Sequence, residues 1–212
     1  MPPITRLARI LAAALVALAV VPAAPAAATT IVAPPTFIVE GDPTPAEARI
    51  IRGTWSHFAG TFHRSSACLE PLTVKVVDRA EDWFGGGSYA LAGFYRASEA
   101  TMYIEHGKVT PANLAHEFAH HLDVSCGVAD SPLAEDFLQA AGFADSASWY
   151  TGSSWDLVPA EQFSEAILAF LDIGPLEIDV ADPAIDLVQL VVWLGADGYG
   201  GDPTPLPLIT IL

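Results

Sequence analysis

His116-Glu117-Phe118-Ala119-His120 reads H-E-x-x-H. On an α-helix, residues four apart lie on one face, so both imidazoles can reach a single ion. Zinc is the metal that this spacing suits best. Glu117 lies beside that face, where its carboxylate can take a proton from a water held on the metal. With six histidines in 212 residues, a shuffled chain would yield the pattern roughly once in a hundred trials, so chance is a poor account of it. The chemistry it points to is hydrolysis. Zinc lowers the pKa of its bound water towards ~7 and polarises a carbonyl, and Glu117 is the expected general base.

A catalytic zinc needs a third protein ligand and one open position. The metzincin continuation of the motif requires Gly at position 123 and His at position 126, and Asp123 and Cys126 exclude it. Gly195-Ala196-Asp197-Gly198-Tyr199-Gly200 offers Asp197, in a faint likeness to the aspzincin signature G-T-x-D-x-x-Y-G, but without its threonine and with the tyrosine displaced. Glu161-Gln162-Phe163-Ser164-Glu165 is better placed. Two glutamates four apart on a helix present both carboxylates to one side, one to bind the ion and one to orient a histidine. His121 is turned about 100° from His120, away from the metal, and reads as structural. His57, His63 and His106 have no ligand spacing.

The elements that must position these residues follow from local signals. Thr110-Pro111 starts the motif helix, with Thr as N-cap and Pro in the first turn, and the pattern Leu114, Phe118, Leu122 runs to Cys126-Gly127. Upstream, Thr44-Pro45 starts a helix with Ile50, Ile51, Trp55 and Phe58 at near-helical spacing. Leu72, Val74 and Val76 alternate as in a half-buried strand, and two shorter strands are expected at 92–96 and Thr101–Glu105, joined by a polar turn. Further helices are expected at 131–141, 159–171 and 183–194. The fold class is therefore α+β: a small twisted sheet, then the active-site helix, then a mostly helical second half.

Residues 1–28 carry Arg6 and Arg9, an uncharged run from Ile10 to Val21 and an A-x-A site, the pattern of a secretory signal peptide. The apolar run is shorter than the ~20 residues a membrane span needs, so no stable membrane insertion is expected after cleavage, and the mature chain is expected outside the cytoplasm. Residues 29–44 are Pro-rich and read as a leader or linker with one short extended piece at 36–40; 45–195 is the folded domain, and 196–212 a Gly/Pro-rich tail. Cleavage leaves seven basic against 25 acidic residues, a net charge of −18, which disfavours nucleic acid and anionic membranes. Cys68 and Cys126 are the only cysteines, and in an exported chain two cysteines are expected to pair.

H-E-F-A-H-H-L-D at 116–123 and E-Q-F-S-E at 161–165 resemble motifs of the gluzincins, in which an H-E-x-x-H helix is completed by a glutamate on a later helix. Within that group the likeness is to the family of the anthrax lethal factor catalytic domain and related small secreted bacterial peptidases, which shows H-E-F-G-H-x-x-D and E-x-F-A-E. The likeness covers about residues 72–171. It implies a zincin-like fold, one Zn2+ held by His116, His120 and Glu161, and Glu165 behind a ligand histidine. It places Asp123 either behind a ligand histidine too or on the surface. Tyr150, which precedes the Glu161 helix, is its candidate for oxyanion support. It also implies a protein or peptide substrate lying extended along an edge strand, for which Thr101–Glu105 is the candidate. The competing expectation is a catalytically silent zinc-binding domain that recognises a peptide or cell-wall polymer through its tryptophans. The intact Glu117 argues against it, because binding alone needs no base.

Overall fold

The computed structural model describes residues 36–84, 92–144 and 146–196. The expected signal segment, the Gly85-Gly86-Gly87 loop, Asp197 and the tail after Ala196 lie outside the described residues. In chain order the elements are β1 (Phe37–Glu40), α1 (Pro45–Thr61), β2 (Leu72–Val77), α2 (Glu81–Phe84), β3 (Gly93–Arg96), β4 (Thr101–Glu105), α3 (Pro111–Cys126), α4 (Pro132–Ala140), α5 (Pro159–Leu171) and α6 (Asp182–Leu194). This is the expected α+β order.

Thr44 starts α1 through a reciprocal capping box. Its hydroxyl accepts from Glu47 N at 3.2 Å, and Glu47 Oε2 accepts from Thr44 N at 2.8 Å. The same carboxylate accepts from Gly107 N at 3.1 Å and faces His106 Nδ1 at 3.3 Å. The start of α1 is thus fastened to the loop ahead of α3. From there Ile51, Trp55 and Phe58 form the buried stripe of α1.

The sheet order is β1-β2-β4-β3. β1 and β4 flank β2 in parallel, while β3 runs antiparallel to β4. Two expectations are corrected here. The extended piece at 36–40 is not leader: Phe37–Glu40 is a strand of the sheet, and Phe37 stacks on Trp55 with ring centres 5.0 Å apart. The strand Thr101–Glu105 is not an edge, because β2 and β3 pair with it on its two sides. A turn through Ala97–Glu99, closed by Ala100 in the left-handed region (φ 45°), folds β3 back onto β4, and among the described residues β3 and β1 are the two edge strands of the sheet.

One face of the sheet supplies Val74, Val76, Met102 and Ile104 to a core shared with α1 and α3. Phe118, fully buried on α3, is ringed by Phe37, Trp55 and Phe58, with ring centres 5.1–6.3 Å away. The opposite face carries a smaller cluster of Val77, Ala80, Phe94 and Tyr103. α5 packs on α3 from the other side, and α6 on α5. Cys68 and Cys126 form a disulfide, with Cα atoms 5.0 Å apart; it ties the segment ahead of β2 to the last residue of α3.

Candidate metal centre

Local sequence sets the frame of the site. The Thr110 hydroxyl accepts from Asn113 N at 3.1 Å and caps α3, and Gly127, at φ 64°, ends it in the left-handed conformation that glycine adopts without strain. Leu114, Phe118 and Leu122 take the core face, so positions 116 and 120 turn towards α5. Pro159 opens α5, and Ala160 N donates to the Trp149 carbonyl at 3.0 Å, which fixes the first turn. Glu161, Ser164 and Glu165, spaced three and four apart, face α3.

Three ligand atoms converge between the two helices. His116 Nε2 lies 2.9 Å from Glu161 Oε2, His120 Nε2 lies 3.3 Å from the same oxygen, and the two nitrogens are 3.2 Å apart. These partly buried residues could hold a metal ion. Behind them, His116 Nδ1 meets Glu165 Oε1 at 3.0 Å, and Glu165 Oε2 accepts from Glu177 N at 2.8 Å. Glu165 is 2% exposed, so both its oxygens are held inside the protein. Behind His120 stands Ser164, with Oγ 3.4 Å from Nδ1.

Charge in the cluster is strongly coupled. Burial works to lower the His116 imidazole, but the Glu161 and Glu165 carboxylates outweigh it and push it up to about 10. Burial works to raise Glu161, but the two imidazoles hold it well below the usual carboxylate range. Its place in the first turn of α5 adds the favourable field of a helix N-terminus. Glu117 is shifted the other way: burial raises it, against the opposing pull of His116 and His120. It is 9% exposed and ligates nothing in the triangle, while its carboxylate feels the backbone N–H of Tyr95 on β3.

That backbone N–H is available because of strand register. Glu105 N donates to Ala92 O at 3.0 Å, and hydrogen-bonded pairs alternate along an antiparallel ladder, so Phe94/Tyr103 and Arg96/Thr101 are the next such pairs. The backbone groups of Gly93 and Tyr95 therefore point away from β4, towards a cleft of about 890 Å³ that also contains His116, Glu117, His120 and Glu161. Trp155 stands over one wall, its ring stacked on His116 with centres 5.9 Å apart.

Of the expected site residues, the fold brings together His116, Glu117, His120, Glu161 and Glu165. Tyr150 lines the same cleft but is half exposed, and its hydroxyl leans on Asp123. Burial and the Asp123 carboxylate together push that hydroxyl upward. Asp123 is neither behind a ligand histidine nor on the surface. It is 1% exposed and accepts from Trp149 Nε1 at 2.8 Å. The reason is angular: three residues past His120 on α3, its side chain reaches the loop ahead of α5, and Ser164 occupies the place behind His120. His121 is fully buried away from the cluster, donating from Nε2 to Glu70 O at 3.0 Å and facing the Tyr95 hydroxyl at 3.0 Å. Burial lowers its imidazole to about 4, so it is neutral.

Sequence reasoning missed Ser164, Trp155 and the Tyr95 backbone. Ser164 carried a readable signal, since it is three residues from Glu161 on the same helical face. Trp155 and Tyr95 carried none, because their places depend on how separate segments meet. The described residues contain no helix long and apolar enough to cross a membrane. No family model matches this chain, and neither a curated protein nor a solved structure matches it.

Proposed function

We propose that this chain is a secreted, zinc-dependent peptidase of zincin-like fold and gluzincin type, with His116, His120 and Glu161 as ligands and Glu117 as general base. The observation that carries the reading is the position of Glu117: a buried carboxylate on the ligand helix, beside the triangle of ligand atoms and outside it. The triangle itself fits the metal. Zn–N and Zn–O bonds of ~2.0–2.1 Å in a tetrahedron place ligand atoms ~3.3 Å apart, against 2.9, 3.2 and 3.3 Å here. A bound zinc supplies a Lewis acid and an acidified water. With zinc bound, Glu117 would be the group that accepts a proton from the attacking water and passes it to the leaving amine. Glu165 holds the tautomer of His116 that leaves Nε2 free to ligate. Tyr150 supports the developing oxyanion once its hydroxyl turns from Asp123 into the cleft.

An extended peptide would pair with β3, through the outward Gly93 backbone groups and the Tyr95 carbonyl, rather than with β4, the Tyr95 N–H being engaged by Glu117. The test is hydrolysis of an unfolded protein substrate by zinc-loaded wild type and Glu117→Gln. The variant should keep its zinc and lose about 10²–10⁴-fold in rate. Inactivity of both proteins with zinc retained would favour the silent binding domain. In the same assay, peptides N-methylated at successive backbone positions should be cut more slowly at alternate positions, and a flat response would count against pairing with β3.

A further inference from the structure

We infer that Ser164 is the positioning residue for His120, a neutral counterpart to Glu165 behind His116; the inference rests on the metal reading above. His120 turns Nε2 towards Glu161 and His116. When that nitrogen gives its lone pair to an ion, the ring proton sits on Nδ1 and needs an acceptor. Ser164 Oγ is the atom in place to accept, at 3.4 Å. Asp123, the carboxylate that the family likeness would offer, is engaged with Trp149. The Ser164 hydroxyl proton is committed to the Ala160 carbonyl at 3.1 Å, so the oxygen's lone pairs are left to receive the Nδ1 proton. Ser164 is fully buried, which keeps bulk water from substituting for it.

The role belongs to this chain and does not follow from the resemblance, because the E-x-F-A-E motif has alanine where E-Q-F-S-E has Ser164. Its consequence is an asymmetric pair of ligands. His116 is backed by a carboxylate, which raises its basicity as a donor, while His120 is backed by a hydroxyl that fixes its orientation and adds little charge. A length of 3.4 Å is long for a hydrogen bond, so the effect of removing it belongs at the lower end of the range known for such partners.

The experiment uses the full chain with ¹⁵N-labelled histidine, loaded with zinc. An exchange-protected Nδ1–H signal assigned to His120 is expected in the wild type. Ser164→Ala should remove that protection, leave the His116 signal in place, and raise the zinc dissociation constant about ten-fold in chelator competition. Ser164→Thr, which keeps the hydroxyl, should restore both readouts. If Ser164→Ala fails to fold, the wild-type spectrum decides, and a rapidly exchanging His120 ring proton overturns the assignment. A wild type that takes up no zinc overturns the metal reading and this inference together. A wild type that loads zinc, with Ser164→Ala equal to it in affinity and in protection, overturns the role of Ser164 alone.

Discussion

Replacing both Cys68 and Cys126 by serine should lower global stability by about 4 kcal/mol. The bridge joins positions 58 residues apart in sequence, and in the chain-entropy description a closed loop of that size removes about 14 cal/mol/K from the unfolded chain, or about 4 kcal/mol at 25 °C. The bonded residues sit at places that the rest of the fold already defines. Cys126 ends α3 just before the Gly127 cap, and Cys68 follows the short 3-10 segment His63–Ala67; both are only partly buried against the core, so most of the effect should come from the unfolded chain. Urea unfolding of the oxidised wild type and the double variant is the direct assay. With a slope near 2 kcal/mol/M, typical for a domain of this size, the midpoint should fall by about 2 M. Reduced wild type should behave as the variant does. A difference below about 1 kcal/mol would refute the reasoning, because the unfolded chain would then retain enough structure to make the cross-link redundant.

Two further outcomes follow from the site and its supports. Glu165→Ala should weaken zinc binding about 10–100-fold in chelator competition, since it removes the acceptor at His116 Nδ1 and strands the Glu177 N–H; an unchanged affinity would mean that Glu165 serves only the fold. The Glu47 carboxyl is held down at about 2, first by the Thr44 and Gly107 backbone N–H groups. A carboxyl depressed in the folded state contributes stability above its ordinary value of 4.5 and loses it as pH falls towards about 2. Glu47→Gln should therefore be less stable than wild type at pH 7, by about 1 kcal/mol as for a lost cap, and the gap in urea midpoints should close as pH drops through that window. A gap that persists undiminished at the lowest folded pH would show that the carboxylate's charge is not what fastens α1.

Features with short-range causes could be read before any fold was known. Thr44 with Glu47, and Thr110 with Pro111, announce two helix starts, and the alternation of Leu72, Val74 and Val76 announces β2. The four-residue spacings in 116–120 and 161–165 identify two helix faces that could hold a metal ion, although only the crossing of α3 and α5 brings them together. The errors lie where non-local pairing decides. Thr101–Glu105 and Gly93–Arg96 are both short apolar runs, and nothing within either says which one has a neighbour on each side. The prolines around β1 hide a strand whose stability comes from Phe37 packing on Trp55, far along the chain. Asp123 went wrong for a similar reason: its helical phase was legible, but the loop that brings Trp149 and Tyr150 to it was not.

The disulfide also has a topological meaning. It closes the chain between 68 and 126, while an ion shared by His116 and Glu161 would close it between 116 and 161. Neither loop contains the other: the second begins inside the first and ends beyond it, as in a pseudoknot. With both links in place, no cut of the contour between 68 and 161 separates the chain into two parts that can loosen independently. The metal would then tie the whole stretch from β2 to α5 into one covalently and coordinatively closed unit, and its removal would leave only the disulfide closing the contour, between 68 and 126.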